Sequence, residues 1–320
     1  LPFLERAVLI DGVWQSHILQ PRSALKERAE ATPTALVKHI QPTAQLREPL
    51  KATSRPLILA QPKLIRPRTV SVLSSRYESV GYTLESVRAG DPPPAFVLVT
   101  LPGDWTKEMP SEVRKSLFFR ALLPLVMQVN GEIAATRDRL IALRDHPDMS
   151  RRDRVWLNRT AKRYRAIDSK TGSVDWDALM RRVDLVPPSL ALAQGALESG
   201  WGRSRFARQG NALFGQWTWT EGAGIVPKDR EEGKTHAVKS YRSLLASVRG
   251  YMTNLNSAGP YTRLRKAREK ATAAGKPVTG RELAAYLDKY SEEGEVYVKK
   301  VRSMISVNKL APMDQLINGR

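Results

Sequence analysis

Residues 197–219 read Leu-Glu-Ser-Gly-Trp-Gly-Arg-Ser-Arg-Phe-Ala-Arg-Gln-Gly-Asn-Ala-Leu-Phe-Gly-Gln-Trp-Thr-Trp. They set one carboxylate, Glu198, against a glycine-broken helix end, and a dense run of aromatics follows. Just upstream, Val186-Pro187-Pro188-Ser189 marks a helix start, because proline is tolerated in the first turn, where its missing N–H has no intrahelical partner. From there Leu190, Ala193 and Leu197 recur at three- and four-residue steps and make one apolar face. Gly200 and Gly202 then end the helix. Glu198 therefore falls in the last turn, where the negative end of the helix dipole disfavours a second negative charge.

Two effects then push the Glu198 carboxyl toward its neutral form. The dipole is one; desolvation is the other, if the indole of Trp201, three residues later, covers the carboxyl. A tenfold change in that proton equilibrium takes only about 1.4 kcal/mol. A carboxylic acid still protonated near neutrality can give its proton to a glycosidic oxygen. Three of the seven tryptophans, Trp201, Trp217 and Trp219, lie in this stretch with Phe206 and Phe214. Amphipathic aromatics are the usual platform for rigid polyhydroxylated ligands. Gln194 lies one turn before Glu198 on the same face. Gln194 or Asn211 could orient the acid or an acetamido group, or serve as an ordinary satisfied polar group.

The motif Glu198-Ser-Gly-Trp-Gly-x-Ser-x-Phe-Ala, followed by Asn211-x-Leu-Phe-Gly, resembles the glucosaminidase domain of glycoside hydrolase family 73, and most closely its bacterial Bax-type members. Further blocks resemble that subgroup in the same order: Gly224-Ile-Val-Pro-Lys, Gly233-Lys-Thr-His, Tyr241 through Asn256, Tyr261-x-x-Leu-Arg and Tyr297-Val. Upstream, Leu101-Pro-Gly-Asp and Phe118-Phe-Arg-Ala-Leu-Leu-Pro-Leu-Val extend the likeness, so it covers roughly residues 100 to 312. It implies a lysozyme-like, mostly helical fold that hydrolyses the β-1,4 bond after N-acetylglucosamine in peptidoglycan, with Glu198 as general acid. It also implies a tyrosine from a late helix, which maps onto Tyr297, and an acidic residue in a small β-lobe.

That second acid is open. Glu221, Asp229, Glu231 and Glu232 all fall between Trp219 and Tyr241, and Glu232 and Glu221 are carried as candidates. In the lobe, Ile225-Val-Pro-Lys and His236-Ala-Val-Lys-Ser alternate as short strands do, with Glu231-Glu-Gly-Lys as the turn. An N-acetyl group of the substrate acting as internal nucleophile is the alternative to a second carboxylate. Tyr297 flanks the apolar stripe Val298, Val301 and Ile305, and a core tyrosine with a satisfied hydroxyl is its competing role. Tyr241, Tyr251 and Tyr261 read as core or subsite residues, with Tyr241 carried among the substrate contacts. A muramidase or lytic transglycosylase on the same fold is the near rival; a non-catalytic wall-binding module is the rival of another class.

Whole-chain chemistry narrows the rest. Fifty-two Lys and Arg against thirty-two Asp and Glu leave +20, which forecasts attraction to a polyanion such as peptidoglycan with its free peptide carboxylates. The basic residues match no zinc-finger, RNP or heptad-linked pattern, so no specific nucleic-acid partner is expected. With no cysteine, thiol nucleophiles and disulfides are excluded, and His17, His39, His146 and His236 match no metal-ligand spacing. No phosphate loop or nucleophile elbow stands in the chain, and neither a cofactor nor a metal is expected. No run of eighteen apolar residues implies a membrane span. The start at Leu1 fits a trimmed precursor or a fragment of an exported protein, and the family's substrate places the expected location in the periplasm or envelope of a Gram-negative bacterium.

The expected fold class is α+β, predominantly α: a lysozyme-like helical domain with a small β-hairpin lobe and a Pro-rich N-terminal arm. Twelve of the twenty-one prolines fall between Pro21 and Pro110, so residues 1–100 read as a largely extended arm that could meet a partner, with a tether over 15–68. Within it Val70-Ser-Val-Leu and Ala95-Phe-Val-Leu-Val-Thr look strand-like. Residues 101–183 form a helical region, 184–312 the glucosaminidase domain and 313–320 a tail. From Ser111 a stripe through Phe118, Leu122, Leu125, Val129, Ile133 and Leu140 predicts a long helix that Pro124 could kink. Helices are further expected over 151–167, 175–183 with Asp175 as N-cap, 243–256, 261–273, 280–290 and 295–306.

Overall fold

The structure is a computed structural model that describes residues 62–318 except 106–108, 147, 229 and 231–232. In chain order its elements are β1 (Lys63–Ile65), α1 (Val70–Glu78), α2 (Leu84–Arg88), β2 (Phe96–Leu98), α3 (Ser111–Asp145), α4 (Arg151–Arg163), α5 (Trp176–Arg182), α6 (Pro188–Ser199) and α7 (Arg205–Gly210). There follow β3 (Trp217–Thr218), β4 (Gly224–Ile225), β5 (Ala237–Lys239), α8 (Leu244–Ser257), α9 (Thr262–Ala273), α10 (Gly280–Leu283), α11 (Glu295–Val307) and α12 (Gln315–Asn318). Helices dominate and the two sheets are small, so the molecule is α+β and mainly helical, as a lysozyme-like domain requires.

Helix α6 is the hub. Leu190 through Ala196 are buried on every side, so the helix is enclosed by α3, α10, α11 and the 3₁₀ turn Ala311–Asp314. Such all-round burial is what an apolar, small-residue helix permits. Its first N–H groups lack a side-chain cap because Pro187 stands at the cap position. Asp314 supplies one from across the fold: its carboxylate accepts from Ser189 N at 2.9 Å, Ser189 Oγ at 2.7 Å and Gly280 N at 2.8 Å. The expected 313–320 tail is thus corrected: Asp314 is buried, and Met313 and Ile317 join the core.

Helix α3 runs unbroken through Pro124. A proline four residues after Arg120 leaves the Arg120 carbonyl without its intrahelical donor. The Tyr82 hydroxyl donates to that carbonyl at 3.1 Å, docking the segment around α2 onto the core. Further along, buried Asn130 bonds Val186 in both directions at 2.9 Å and pins α3 to the entry of α6. By length and composition α3 could cross a membrane, yet 83% of its most apolar window is buried inside the protein. It is the core's central rod.

The N-terminal expectations need correction where the structure describes them. Residues 1–61 of the Pro-rich arm lie outside the described residues, but Lys63–Ile65, placed in the tether, pair in parallel with Phe96–Leu98. Val70–Leu73 is helical, not a strand: Thr69 caps Val72 N, and Leu73 and Tyr77, four residues apart, face the core. The short Val-Ser-Val-Leu run carried both periods, and the longer register decided. One hydrophobic cluster extends from Ile65 to Ile317, so the boundaries expected at residues 100, 183 and 312 do not separate packing units. The expected helix 280–290 is also shorter, ending as α10 and a 3₁₀ turn at Tyr286.

The small lobe has three strands in the order β3-β5-β4, antiparallel, with Trp217 opposite Val238 and Gly224 opposite Lys239. The second expected strand is present as β5; the first is shorter and shifted, β4 keeping only Ile225 of the expected 225–228, and β3, starting at Trp217, adds a third. Gly224 is obligatory, since a Cβ there would stand 2.5 Å from the Val238 carbonyl.

Candidate active site

The end of α6 is wound into left-handed backbone for three consecutive residues, Gly200, Trp201 and Gly202. A bulky L-residue in that region costs ~1–2 kcal/mol. Trp201 is held there by the Trp105 indole, which donates to its carbonyl at 2.9 Å, and by edge-on packing of its own ring against Phe118 and Phe119. Gly202 lets Trp105 approach, since a Cβ would meet Nε1 at 2.8 Å. This fixed corner sets the pitch of the last turn, and with it Glu198.

Glu198 is half-buried. Its Oε1 accepts a 2.6 Å hydrogen bond from the Tyr297 hydroxyl of α11. Burial pushes the carboxyl from an ordinary 4.5 up to about 7; the Tyr297 bond opposes this, the Glu293 charge adds to it and the Lys300 charge subtracts. Glu293 and Lys300 pair with each other at 2.7 and 2.9 Å. A carboxyl that titrates near neutrality and keeps solvent access can hold a proton and deliver it to an adjacent oxygen.

Behind the acid lies a wall of tyrosines. Tyr297 is fully buried and stacks on Tyr290, centroids 5.3 Å apart. Gln194 Nε2 donates to the Tyr297 oxygen at 2.9 Å, and the Tyr251 hydroxyl donates to Gln194 Oε1 at 2.7 Å. Tyr251 stacks on Phe214 at 3.9 Å, and Tyr290 donates to the Phe214 carbonyl at 3.2 Å. Thus the loop after α7 is clamped over the acid. Gly215, at φ +58°, brings it so close that a Cβ would stand 3.4 Å from Glu198 Oε2.

The expected site residues sort into three groups. Glu198, Tyr297 and Gln194 meet in one hydrogen-bonded array. Asn211 and Tyr241 form a clasp between this loop and the lobe, together with Gln216, which was not among the expected residues: Asn211 Nδ2 donates to the Tyr241 carbonyl at 2.9 Å, and the Tyr241 hydroxyl donates to Gln216 Oε1. Burial raises the Tyr241 phenol to about 12. Trp217 and Trp219 flank buried Thr218 at strand spacing and are 40% and 72% exposed, so each offers a ring to solvent.

Two expectations are corrected. Trp201 and Phe214, expected to contact substrate, are 5% and 2% exposed and belong to the core, with no open face for a sugar. The indole of Trp201 packs edge-on against Phe118 and Phe119 of α3, while the side chain bonded to Glu198 is Tyr297. For the second acid, Glu221 is exposed in the turn between β3 and β4. Glu232, like Asp229 and Glu231, lies outside the described residues. Glu293, Lys300, Tyr290 and Gly215 carried no sequence signal of their own; a seven-residue spacing, Glu293 to Lys300 and Tyr290 to Tyr297, is the only trace. Among the described residues no group of three His, Cys, Asp or Glu could hold a metal ion.

A mainly helical lysozyme-like fold, a carboxyl raised to about 7 at the end of its central helix, and a tryptophan-bearing lobe are the parts of an enzyme that cuts glycan chains, and the family match makes it a glycoside hydrolase. Residues 174–310 match the glucosaminidase family model, described as mannosyl-glycoprotein endo-beta-N-acetylglucosaminidase. The chain is also 33% identical over 196 residues to Protein bax of Escherichia coli (strain K12), an alignment covering 61% of this chain and 70% of that protein. No solved structure matches. The chain belongs to the glucosaminidase family, glycoside hydrolase family 73.

Proposed function

We propose that this protein hydrolyses the β-1,4 bond after N-acetylglucosamine in peptidoglycan, with Glu198 as general acid. The observation that carries the reading is the Glu198 carboxyl, largely buried, bonded to Tyr297 and pushed to about 7 while keeping some solvent exposure. Protonated, it donates to the glycosidic oxygen as that oxygen leaves the anomeric carbon; the Tyr297 bond then stabilises the carboxylate left behind. Trp217 and Trp219 seat sugar rings on the lobe side, and Asn211 with Tyr241 holds the lobe against the loop that covers the acid.

Glu221 and Glu232 stand as candidates for the second carboxylate. A separation of about 5–5.5 Å from Glu198 gives retention, and about 6.5–9.5 Å gives inversion through a bound water. The +20 charge favours a glycan carrying peptide carboxylates, and such a substrate sets the protein's working place in the periplasm or cell envelope of a Gram-negative bacterium. Residues 184–312 form the glucosaminidase domain in this reading, and of the Pro-rich arm only residues 1–61, outside the described residues, are left for a partner.

Digestion of purified peptidoglycan by wild type and Glu198→Gln, with mass spectrometry of the new chain ends, tests the proposal. Reducing N-acetylglucosamine ends that vanish in the variant support it. Reducing N-acetylmuramic acid ends indicate a muramidase and 1,6-anhydro ends a lytic transglycosylase. Binding without cleavage leaves only a wall-binding module.

A further inference from the structure

Three hydrogen bonds at and behind the acid, two of them fully buried, all point the same way. Tyr251 donates to Gln194, Gln194 donates to Tyr297, and Tyr297 donates to Glu198 Oε1. Gln194, Tyr251 and Tyr297 are all fully buried, so no water competes for these groups. A primary amide has a donor end and an acceptor end, and its orientation therefore sets the direction of the whole chain.

The reverse chain satisfies Gln194, Tyr297 and Glu198 among themselves but is unproductive. In it Gln194 turns its amide over, its N–H donates to Tyr251, and its carbonyl takes the Tyr297 proton. The Tyr297 oxygen can then only accept, so Glu198 carries its own proton on Oε1, aimed into the tyrosine wall. In the observed direction Oε1 is already occupied as an acceptor, and the proton of neutral Glu198 resides on Oε2. That oxygen faces Gly215, the one residue of the covering loop with no side chain to fill the gap.

We infer that Gln194 and Tyr251 are positioning residues that fix the direction of this chain and so keep the transferable proton of Glu198 on Oε2. The inference rests on the proposed general-acid role. In the step itself, the Oε2–H bond breaks as the proton joins the glycosidic oxygen, the bonding pair between that oxygen and the anomeric carbon leaves with the oxygen, and the oxocarbenium-like anomeric carbon ends bonded to a water oxygen that gives up its proton. Glu198 becomes a carboxylate while Oε1 keeps the donor it had before. No hydrogen bond behind the acid has to turn during the transfer, which is the arrangement that preorganised sites use. The ionisable groups facing Glu198 are Tyr297, Lys300 and Glu293 from α11 and the loop before it, Tyr290 from the same loop, Tyr251 from α8 and Tyr261 from the 3₁₀ turn after it.

The test uses Tyr251→Phe and Gln194→Met in the full chain, alone and combined with Tyr297→Phe. Tyr251→Phe keeps the ring stacked on Phe214 and removes only the donor that holds the Gln194 carbonyl. Losing a single hydrogen bond of this kind lowers kcat about two- to tenfold. KM stays within about twofold, since neither residue touches the sugar. The high-pH limb of kcat moves upward, because a turned Tyr297 no longer stabilises the carboxylate, and the ¹³C titration of the Glu198 carboxyl moves with it. In the Tyr297→Phe background neither substitution has a further effect on the limb. Wild-type kcat and pH limb in Tyr251→Phe, or full additivity with Tyr297→Phe, overturn the inference and leave the general-acid reading intact. Wild-type turnover in Glu198→Gln instead overturns that reading.

Discussion

Replacing Glu198 with Gln removes a proton site and keeps the volume, and the variant is expected to be more stable than wild type in one pH range only. Gln still accepts from Tyr297 through its carbonyl oxygen, so the 2.6 Å contact is kept. Wild-type Glu198 titrates near 7 in the folded protein and near 4.5 when the surroundings are lost. At 1.36 kcal/mol per pH unit that gap is about 3 kcal/mol, and partial exposure reduces it to ~2–3 kcal/mol.

The sign follows from proton counts. Below pH 4.5 both states hold the proton and the carboxyl costs nothing. Between 4.5 and about 7 the folded state keeps a proton that the unfolded chain releases, so wild-type stability falls as pH rises. Above 7 both states are ionised and the full penalty persists. Asp314, which burial raises to about 6, titrates in the same window, but it is common to both proteins and cancels in their difference. Thermal unfolding at intervals from pH 4 to 9 reads the effect. For a folded unit of this size ~2–3 kcal/mol raises Tm of the variant by roughly 4–12 °C at pH 8.5, with no difference at pH 4. Activity moves oppositely: the variant loses about 10²–10⁴ in kcat, and the wild-type rate declines above pH 7. Parallel stability curves with a constant offset at every pH refute the reasoning, because a buried acid cannot be neutral at 7 without this signature.

The flanking charges give a second check: Glu293→Gln is expected to move the Glu198 titration down and Lys300→Met to move it up, read from the high-pH limb of kcat, since one charge opposes and the other favours the carboxylate. Trp201→Ala should cost ~3–5 kcal/mol in urea unfolding, because it empties a core site. Trp219→Ala should change stability by less than about 0.5 kcal/mol and weaken glycan binding about two- to tenfold in a pull-down titration. Asp314→Ala strands the Ser189 and Gly280 donors, with an expected loss of ~2–4 kcal/mol seen as a lower urea midpoint at unchanged m.

How far the sequence spoke depended on whether a residue's partner was near in the chain. The helix carrying Glu198, its glycine stop and the Asp175 cap are local events, and each lies where short-range rules put it. The raised Glu198 titration was legible too, but its proposed agent was the near neighbour Trp201. The structure instead buries the acid beside Tyr297, ninety-nine residues away, and sends the indole into the core. The same failure recurs at the termini. Tyr82 docks onto a carbonyl that Pro124 leaves free, and Asp314 caps a helix that Pro187 leaves uncapped. In both places proline announced a missing hydrogen bond, and the sequence had no means of naming the distant group that replaces it. An arm and a tail were expected because their anchors are single polar side chains with no periodicity. A single polar residue spaced far from its partner leaves no pattern, yet Tyr82 and Asp314 decide which segments join the core, whereas Gln194, one turn from Glu198 on the same face, was legible as a group that could orient the acid.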